Sequence, residues 1–385
     1  MQIGIKENEQ STLLDPKLAP MLWFHYNYYM PLEESDDEDN EKSGDDDDVS
    51  DEDEFSETSD EDESTEETDD DGISEDNKID VSGDDDDNTT DEAKEVNDTL
   101  VLYNISSKQL VAYDKPDDLK DHFYWITPQG WLLMLHRDSH EIFLWNPSTS
   151  QRISLPFDQD RFLRKNYTRC LLSHSPTDPN CIVLVLSLHD TIIWYCHIGG
   201  TQWSMHKYHA RRFHHHRFTV IKSMSLLTAV GGKFYTTFGD RIVTLEFFPY
   251  PTFDIIPIKS AHNIVYHFAE ICLLESSGDL FILFFYHPMT CSQKTVEIDV
   301  HKLDITRRAW VKMDTLEDRA FVVNTIKNSG VSVNAKEVYL DGNCIYFLMR
   351  GDKGLYVHNM ERGTTTALNP GADVNVAAQI LMPAF

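Results

Sequence analysis

The stretch GWLLMLHRDSHEIFLWNPSTSQRISLP, residues 130–156, decides how the fold is interpreted. Two apolar runs, residues 131–135 and 142–145, flank a polar turn, and Asn146-Pro147 ends the second run. A third short apolar run follows. Short apolar runs that are joined by a polar turn and ended by turn-forming residues are typical of antiparallel strands. The stretch therefore predicts a β-hairpin with a third strand beginning after it.

The same hairpin pattern returns along the chain at spacings of about 40–55 residues, which is typical of the blades of a β-propeller. No long window shows a helical period, so helix is expected only as single turns near residues 117–121 and 316–320. We predict an all-β fold, a β-propeller of about six blades, with seven as the alternative count. A large β-sandwich or two small β domains are the competing architectures. The predicted blades are residues 21–113, 131–156, 170–208, 230–258, 268–313 and 343–368.

Composition divides the N-terminal part of the chain. Residues 1–19 are polar and are predicted to be a flexible N-terminus, whereas residues 20–32 are rich in aromatics and predict the first propeller strand. Residues 33–98 are almost entirely Asp, Glu, Ser and Thr, so they cannot bury enough apolar surface to fold and are predicted to be disordered. The β pattern resumes at once and the propeller is assigned to residues 99–385. The acidic tract is therefore predicted to be a long insertion in the first blade. The apolar tail, residues 374–385, is expected to pair beside the N-terminal strand and close the ring.

Charge is concentrated in the same tract. The chain has 385 residues and a formal net charge of −33. Residues 33–98 hold 36 of the 66 Asp and Glu and 3 of the 33 Lys and Arg, which leaves 30 acids and 30 bases elsewhere. The predicted propeller therefore has no net charge. The negative charge of the whole chain can be used to infer partners of the tract but not of the propeller.

The cysteines and the apolar runs indicate a compartment. The six cysteines form no C-x-x-C pair, no basic and apolar leader opens the chain, and no apolar run approaches the ~20 residues of a membrane span. We expect free thiols in a reducing compartment, cytoplasm or nucleus, and no membrane association. The cysteines are Cys170, Cys181, Cys196, Cys272, Cys291 and Cys344.

Several of these segments together resemble a known family. In addition to the opening stretch, the chain contains CLLSHSPTDPNCIVLVL, VGGKFYTTFGDRIVTLEF, AEICLLESSGDLFILF, EIDVHKLDITRRAWVKMDTLEDRAFVV and DGNCIYFL followed by GLYVHNMERGTT. In this order they resemble the plant DUF295 proteins, also called the KIB1-4 β-propeller family, over about residues 20–363. The resemblance implies a plant source and a non-catalytic propeller. Many members carry an N-terminal F-box, which docks on a Skp1-type adaptor so that the propeller presents substrates to a cullin ubiquitin ligase.

This sequence departs from the family pattern at its N-terminus. Residues 1–19 are too few for the helical F-box domain, and no residue matches the adaptor-binding element. A Skp1-type adaptor is therefore not expected as a partner, and the ligase role is demoted. The acidic, arginine-free start is also a poor organelle transit peptide.

The segment MHKYHARRFHHHR, residues 205–217, is the strongest candidate for metal chemistry. Closely spaced imidazoles can bind zinc or copper, but consecutive histidines cannot all reach one ion, and the segment has no Cys or carboxylate. A solvated loop between strands is the favoured interpretation. The weak metal candidates are His214, His215 and His216. As a third interpretation, a basic patch would attract the acidic tract or phosphate, more strongly at low pH; its residues are Lys207, Arg211, Arg212 and Arg217.

The acidic tract also carries candidate phosphorylation sites. In each, an acidic residue stands three positions after a serine or threonine, the pattern of acidophilic casein kinase 2-type sites. Each phosphate would add about −1.5 to −2 charge. The alternative is an unmodified solvating spacer. As a polyanion the tract would attract basic partners such as histones or nucleic-acid-binding proteins. The sites are Ser35, Ser50, Thr58, Ser59, Ser64, Thr68 and Ser82.

No sequence motif of a nucleophile, nucleotide loop or zinc helix occurs, so no catalytic residue and no cofactor is predicted. Direct nucleic-acid binding is not expected, because the folded part has no net charge and no basic stripe. We predict a non-catalytic protein-interaction scaffold whose partner is a protein of unknown identity. The alternative is an acidic-tract binder of basic proteins, and the third is a propeller hydrolase with a channel site.

Overall fold

The computed structural model describes residues 21–24, 99–164, 168–188, 190–208, 224, 226–248, 250–259, 269–287, 297–325, 327–348, 354–368 and 379–381. Within these ranges the chain forms strands that assemble into six sheets, the blades of a six-bladed β-propeller. Two single turns of 3-10 helix, Asp117–Leu119 and Phe162–Arg164, are the helical elements of this part. The predicted β-propeller fold is confirmed, with the lower of the two blade counts. The predicted disorder of residues 33–98 lies outside the described residues.

The first blade joins the two ends of the described chain. Its strands, in sheet order, are β25 (Gln379–Leu381), β1 (Met21–Phe24), β2 (Thr99–Asn104) and β3 (Gln109–Asp114). Strand β25 pairs antiparallel with β1, with Ile380 opposite Leu22, and both side chains are buried. Leu22 also stands opposite Tyr103 of β2. The predicted closure of the ring by the C-terminal tail is therefore confirmed, and residues 25–98 are inserted between two neighbouring strands of one sheet.

Blades two to five are four-stranded antiparallel meanders in chain order. The second contains β4 (His122–Ile126), β5 (Leu132–His136), β6 (Ile142–Trp145) and β7 (Arg152–Ser154). The third contains β8 (Thr168–Leu172), β9 (Ile182–Ser187), β10 (Ile192–His197) and β11 (Ser204–Lys207). The fourth contains β12 (Thr228–Val230), β13 (Lys233–Phe238), β14 (Arg241–Glu246) and β15 (Thr252–Pro257). The fifth contains β16 (Ala269–Ser276), β17 (Asp279–Tyr286), β18 (Glu297–Asp304) and β19 (Ala309–Lys312).

The sixth blade has a different strand order. Its strands are β20 (Arg319–Asn324), β21 (Ser329–Asn334), β22 (Cys344–Leu348), β23 (Leu355–Asn359) and β24 (Thr364–Ala367). The sheet order is β21-β20-β22-β23-β24, so the chain enters the blade at its second strand and then turns back to the inner edge. As a result, β20 pairs antiparallel with β21 but parallel with β22.

The apolar cores lie between neighbouring blades, which explains the continuous apolar runs in the sequence. In the second blade, Leu133 and Leu144 pack toward the third blade, whereas Met134 and Phe143 pack toward the first. Because both faces of each blade are covered, successive residues are all buried and no polar alternation is needed. The turn after β6 forms because the Asn146 side-chain oxygen accepts hydrogen bonds from the next backbone amides.

The predicted blade limits need three corrections. Strand β4 was not predicted, since the second blade was expected to begin at residue 131. Strands β20 and β21 were also missed, and a helical turn was expected over residues 316–320, where β20 begins at Arg319. For β21 the cause is weak patterning: it reads Ser-Gly-Val-Ser-Val-Asn, and its Val331 and Val333 are the buried positions. The helical turn predicted near residues 117–121 is present.

The inner strands β25, β4, β8, β12, β16 and β21 stand side by side around a central channel. The chain enters each of blades two to five at the inner strand and leaves at the outer one, so these inner strands all begin at the same face of the ring. We call it the upper face, and the opposite one the lower face. Strand β21 runs in the same direction as β16, because Gly330 lies beside Cys272 and Ser332 lies beside Ser276.

Candidate functional site

The upper face carries the attachment points of the acidic insertion. The short connector 115–121 leads from β3 to the upper end of β4, so β2 begins, and β1 ends, at this face. Phe24 stands opposite Val101, which places the two ends of the insertion on paired strands. The described strands on either side of residues 25–98 thus meet the insertion at the upper face. The tract itself and its seven predicted phosphorylation sites lie outside the described residues.

The basic segment attaches to the same face, at the third blade. Lys207 is exposed at the upper end of β11. The next residue, Tyr208, is buried, and its hydroxyl accepts a hydrogen bond from the backbone N–H of Met224 at 3.1 Å. The described residues on either side of positions 209–223 are therefore joined to each other. Of the predicted basic patch and metal candidates, only Lys207 is described; Arg211, Arg212, Arg217, His214, His215 and His216 lie outside the described residues.

A cationic corner lies between these two attachment points, on the second blade. The Arg164 guanidinium donates to the Arg137 carbonyl at 2.5 Å and contacts His140 Nδ1 at 2.8 Å. The Arg137 guanidinium lies 4.8 Å from the centre of the Phe123 ring, a cation–π distance. No local sequence pattern marks these residues, because the contacts join turns that are far apart along the chain.

The channel wall is chemically mixed. Strand β4 contributes the partly buried aromatics Phe123, Tyr124 and Trp125, whereas Arg169 of β8 and Glu270 of β16 contribute opposite charges. Burial lowers the pKa of Arg169 to about 10, against the opposing influence of the Cys272 and Cys170 thiols. Because Cys272 belongs to the fifth blade, its influence on Arg169 of the third blade acts across the channel. The described inner strands therefore carry aromatic side chains together with opposite charges.

Hydroxyl groups form hydrogen bonds at the lower end of the inner strands β16 and β21. The Ser276 and Ser332 hydroxyl oxygens are 2.8 Å apart, and Arg319 Nε donates to Ser332 Oγ at 2.6 Å. These three residues belong to β16, β21 and β20, so they hold the fifth and sixth blades together where the channel ends.

Catalytic geometry is not evident in the described part of the chain. Ser173 Oγ lies 3.0 Å from His174 Nδ1, but the same oxygen accepts the Ile182 amide at 2.8 Å, and no carboxylate is recorded against that histidine. Burial raises the pKa values of Cys170 and Cys196, which disfavours reactive thiolates. Within the described ranges no group of three or more His, Cys, Asp or Glu side chains is placed to hold a metal ion.

Among the described residues no helix is long and apolar enough to cross a lipid bilayer.

Comparison with known proteins places the chain among propellers. A family model described as KIB1-4 beta-propeller matches residues 102–367. An F-box/kelch-repeat protein of Arabidopsis thaliana is 22% identical over 277 residues, which cover 70% of this chain and 73% of that protein.

Solved structures give weaker likenesses. The structure described as YCF48 bound to D1 peptide is 10% identical, with a TM-score of 0.32, covering 71% of this chain and 76% of that one. The Cps50 (Swd1) β-propeller domain of Myceliophteria thermophila is 11% identical, with a TM-score of 0.30, covering 70% and 79%. Scores this low carry no argument about function. The family model, by contrast, spans well over half of the sequence and the six blades agree with its description, so the chain belongs to the KIB1-4 β-propeller family.

Proposed function

We propose that this protein is a non-catalytic interaction scaffold whose upper face binds a protein partner. One observation carries the proposal: the acidic insertion is attached by both ends to the face that contains the channel mouth and the exposed Lys207. A rigid ring with charged loops on one face is suited to binding proteins, because the loops vary while the blades hold them in place.

The insertion tunes this association electrostatically. It carries the whole net charge of the chain, so it speeds the approach of a basic partner and repels an acidic one. Phosphorylation at Ser35, Ser50, Thr58, Ser59, Ser64, Thr68 and Ser82 would strengthen both effects. Cytoplasm or nucleus is the proposed location, where acidophilic kinases and basic partners are both present.

Deletion of residues 33–98 tests the proposal. We expect the shortened protein to capture the same partner in a pull-down, with a weaker dependence on salt between about 0.05 and 0.5 M. A variant in which the deleted residues are replaced by a neutral Gly/Ser linker of equal length controls for loop closure. Complete loss of the partner in both variants would contradict a propeller-centred function.

That loss would instead support a second candidate function, in which the acidic tract itself binds basic proteins such as histones or nucleic-acid-binding proteins. The concentration of 36 acids in residues 33–98 favours it. An isolated peptide of residues 33–98 would then capture the same partner as the full chain.

A ubiquitin-ligase version of the scaffold is suggested by the Arabidopsis relative, which is named as an F-box/kelch-repeat protein. In that version the propeller presents substrates, and the adaptor contact is supplied elsewhere. Recovery of a Skp1-type adaptor and a cullin in the pull-down would support the ligase version. Their absence would contradict the ligase version but not the general scaffold role.

A further inference from the structure

The connector between the fifth and sixth blades, residues 313–318, is held to the sixth blade by a small set of hydrogen bonds. The Thr315 hydroxyl donates to the side-chain oxygen of Asn343 at 3.2 Å. The same Asn343 oxygen accepts the Leu316 amide at 2.7 Å, and Thr315 Oγ1 accepts the Glu317 amide at 3.0 Å. We call these four residues the Thr315 clasp. It fixes the connector to the residue that precedes β22, at the lower face.

The clasp lies at the surface, although its neighbour in sequence is anchored in the core. Thr315 is exposed, whereas Leu316 is buried in the apolar core shared by the fifth and sixth blades. The connector has no regular secondary structure between β19 and β20. Irregular segments with few buried contacts and solvent-exposed hydrogen bonds open locally at a small cost in free energy. The connector can therefore open while the strands on either side stay paired.

Thr315 also has the sequence environment of an acidophilic kinase site. Asp318 stands three positions after it, the same spacing as in the seven candidate sites of the acidic tract. Asp314 and Glu317 add two further acids beside the hydroxyl, and all three acidic residues are exposed. An accessible hydroxyl with acids on both sides is what this class of kinase recognises.

Other hydroxyls of the described chain share the spacing but not the environment. Ser187, Thr237 and Ser276 each precede an acid by three positions, but they belong to strands and are at most 7% exposed. Ser175 is exposed, but Asp178 is the single acid close to it in sequence. These residues provide internal controls for Thr315.

We propose that Thr315 is a phosphorylation site and that its phosphate opens the Thr315 clasp. An acidophilic kinase transfers the terminal phosphoryl group of a nucleoside triphosphate to Thr315 Oγ1. A phosphate ester bond forms, the terminal phosphoanhydride bond breaks, the nucleoside diphosphate leaves, and the hydroxyl proton is released to water. The ester oxygen then has no proton to donate to Asn343, so two acceptors face each other where a hydrogen bond stood.

Charge acts in the same direction as the lost hydrogen bond. The phosphate adds about −1.5 to −2 charge beside three carboxylates. The two nearest lysines in the described chain are already engaged, since Lys336 pairs with Asp318 at 2.9 Å and Lys312 pairs with Asp299 at 2.6 Å. Repulsion between like charges therefore favours an open connector. The site lies at the lower face and does not depend on the partner proposed for the upper face.

The first test treats the full chain and a synthetic peptide of residues 310–320 with a casein kinase 2-type enzyme and ATP. We expect mass spectrometry to find phosphate on Thr315 in both, and none on Ser187, Thr237 or Ser276 in the folded chain. Modification of the peptide but not of the folded chain would overturn the proposal, because the connector would then stay closed. Modification of neither would overturn it as well.

The second test removes the clasp. Phosphate and clasp exclude each other, so Asn343→Ala should raise the initial rate of Thr315 phosphorylation about threefold or more. Asp178→Ala, which removes a turn hydrogen bond in the third blade, should leave that rate unchanged. If Asn343→Ala does not fold, Asn343→Gly removes the same side chain and tolerates the positive φ of 54° at this position. Equal rates in the wild type and the folded Asn343 variant would overturn the link between phosphate and clasp.

The third test measures the effect of the phosphate on the fold. Kinase treatment should lower the thermal midpoint of the wild type by about 2–4 °C, and a phosphatase should restore it. Thr315→Ala should show no such shift, although any phosphorylated sites of the acidic tract remain in that variant. An equal shift in wild type and Thr315→Ala would assign the effect to other sites and overturn the opening of the clasp.

Discussion

The third and sixth blades are built from strands of similar length, yet the chain passes through them differently. In the third blade, β8 to β11 follow one another across the sheet, and each hairpin closes within a short stretch of sequence. In the sixth, the chain enters at the second strand, and β20 and β22 meet in parallel although a whole strand and two turns separate them. Local turn chemistry is enough to define the first arrangement, whereas the second depends on contacts between distant residues.

Core packing should not distinguish the two blades. Phe347 of the sixth blade is fully buried between Phe285 and Tyr356, and Phe162, which precedes the third blade, stacks on Trp194 at 4.7 Å. Replacing either phenylalanine by alanine should lower the free energy of unfolding by about 3–5 kcal/mol. Denaturant titration of the Phe347→Ala and Phe162→Ala variants measures the loss of unfolding free energy in each. A much smaller loss for Phe347→Ala would show that the sixth blade is loosely packed.

The connection into the sixth blade should be more sensitive than a local turn. The Asn343 side-chain oxygen accepts the Leu316 amide at 2.7 Å across 27 residues, whereas Asp178 accepts the Asn180 amide at 2.8 Å within a turn of the third blade. Asn343 also has a positive φ of 54°, which alanine adopts less readily. We expect Asn343→Ala to cost about 1–3 kcal/mol of unfolding free energy and Asp178→Ala to cost about 0.5–1. Equal losses would mean that the long-range contact adds nothing to the blade.

A smaller effect should appear in the pH dependence. Burial lowers the pKa of His358, whose Nδ1 lies 3.0 Å from Thr365 Oγ1 on the outer strands of the sixth blade. Below the ordinary pKa of about 6.5 the unfolded chain binds a proton that the folded chain resists, so stability falls as pH decreases from neutrality.

The His358→Gln variant should therefore lose less stability than the wild type between about pH 7 and pH 5. His197→Gln, at an exposed position of the third blade, is the control. Thermal melts at each pH measure the difference, and parallel curves for His358→Gln and wild type would rule out the contribution of His358.

The same contrast explains which parts of the fold are readable in the sequence. Asn146-Pro147 and the turn before Cys181 mark strand ends, so the hairpins of the second and third blades follow from residue types. The small and polar residues of β21 carry no such signal, because they pack beside β16 of the fifth blade, which is far away in the sequence. The position of Gly330 against Leu274 shows why: the inner strands approach so closely that small side chains are needed there.

The candidate site was less predictable than the fold. Lys207 was predicted from its basic neighbourhood, and the structure shows that it is exposed at the upper face. Glu270 and Arg169 were not predicted as site residues. A charged residue in an apolar strand does not indicate a site until the strand is known to line a channel. A retrospective signal exists: Glu270 interrupts the run Ala269-Glu270-Ile271-Cys272, where a buried strand would carry no acid.

Because β1 is held by β25 on one side and β2 on the other, the ring does not depend on an unbroken backbone through residues 25–98. After a protease cut there, we expect the N-terminal piece to stay bound to the ring through the pairings of β1 with β2 and β25. Evolution can therefore lengthen, shorten or recharge this segment without shifting the register of any strand. The propeller is thus built from one short N-terminal strand and a much longer C-terminal part, joined by a charged segment.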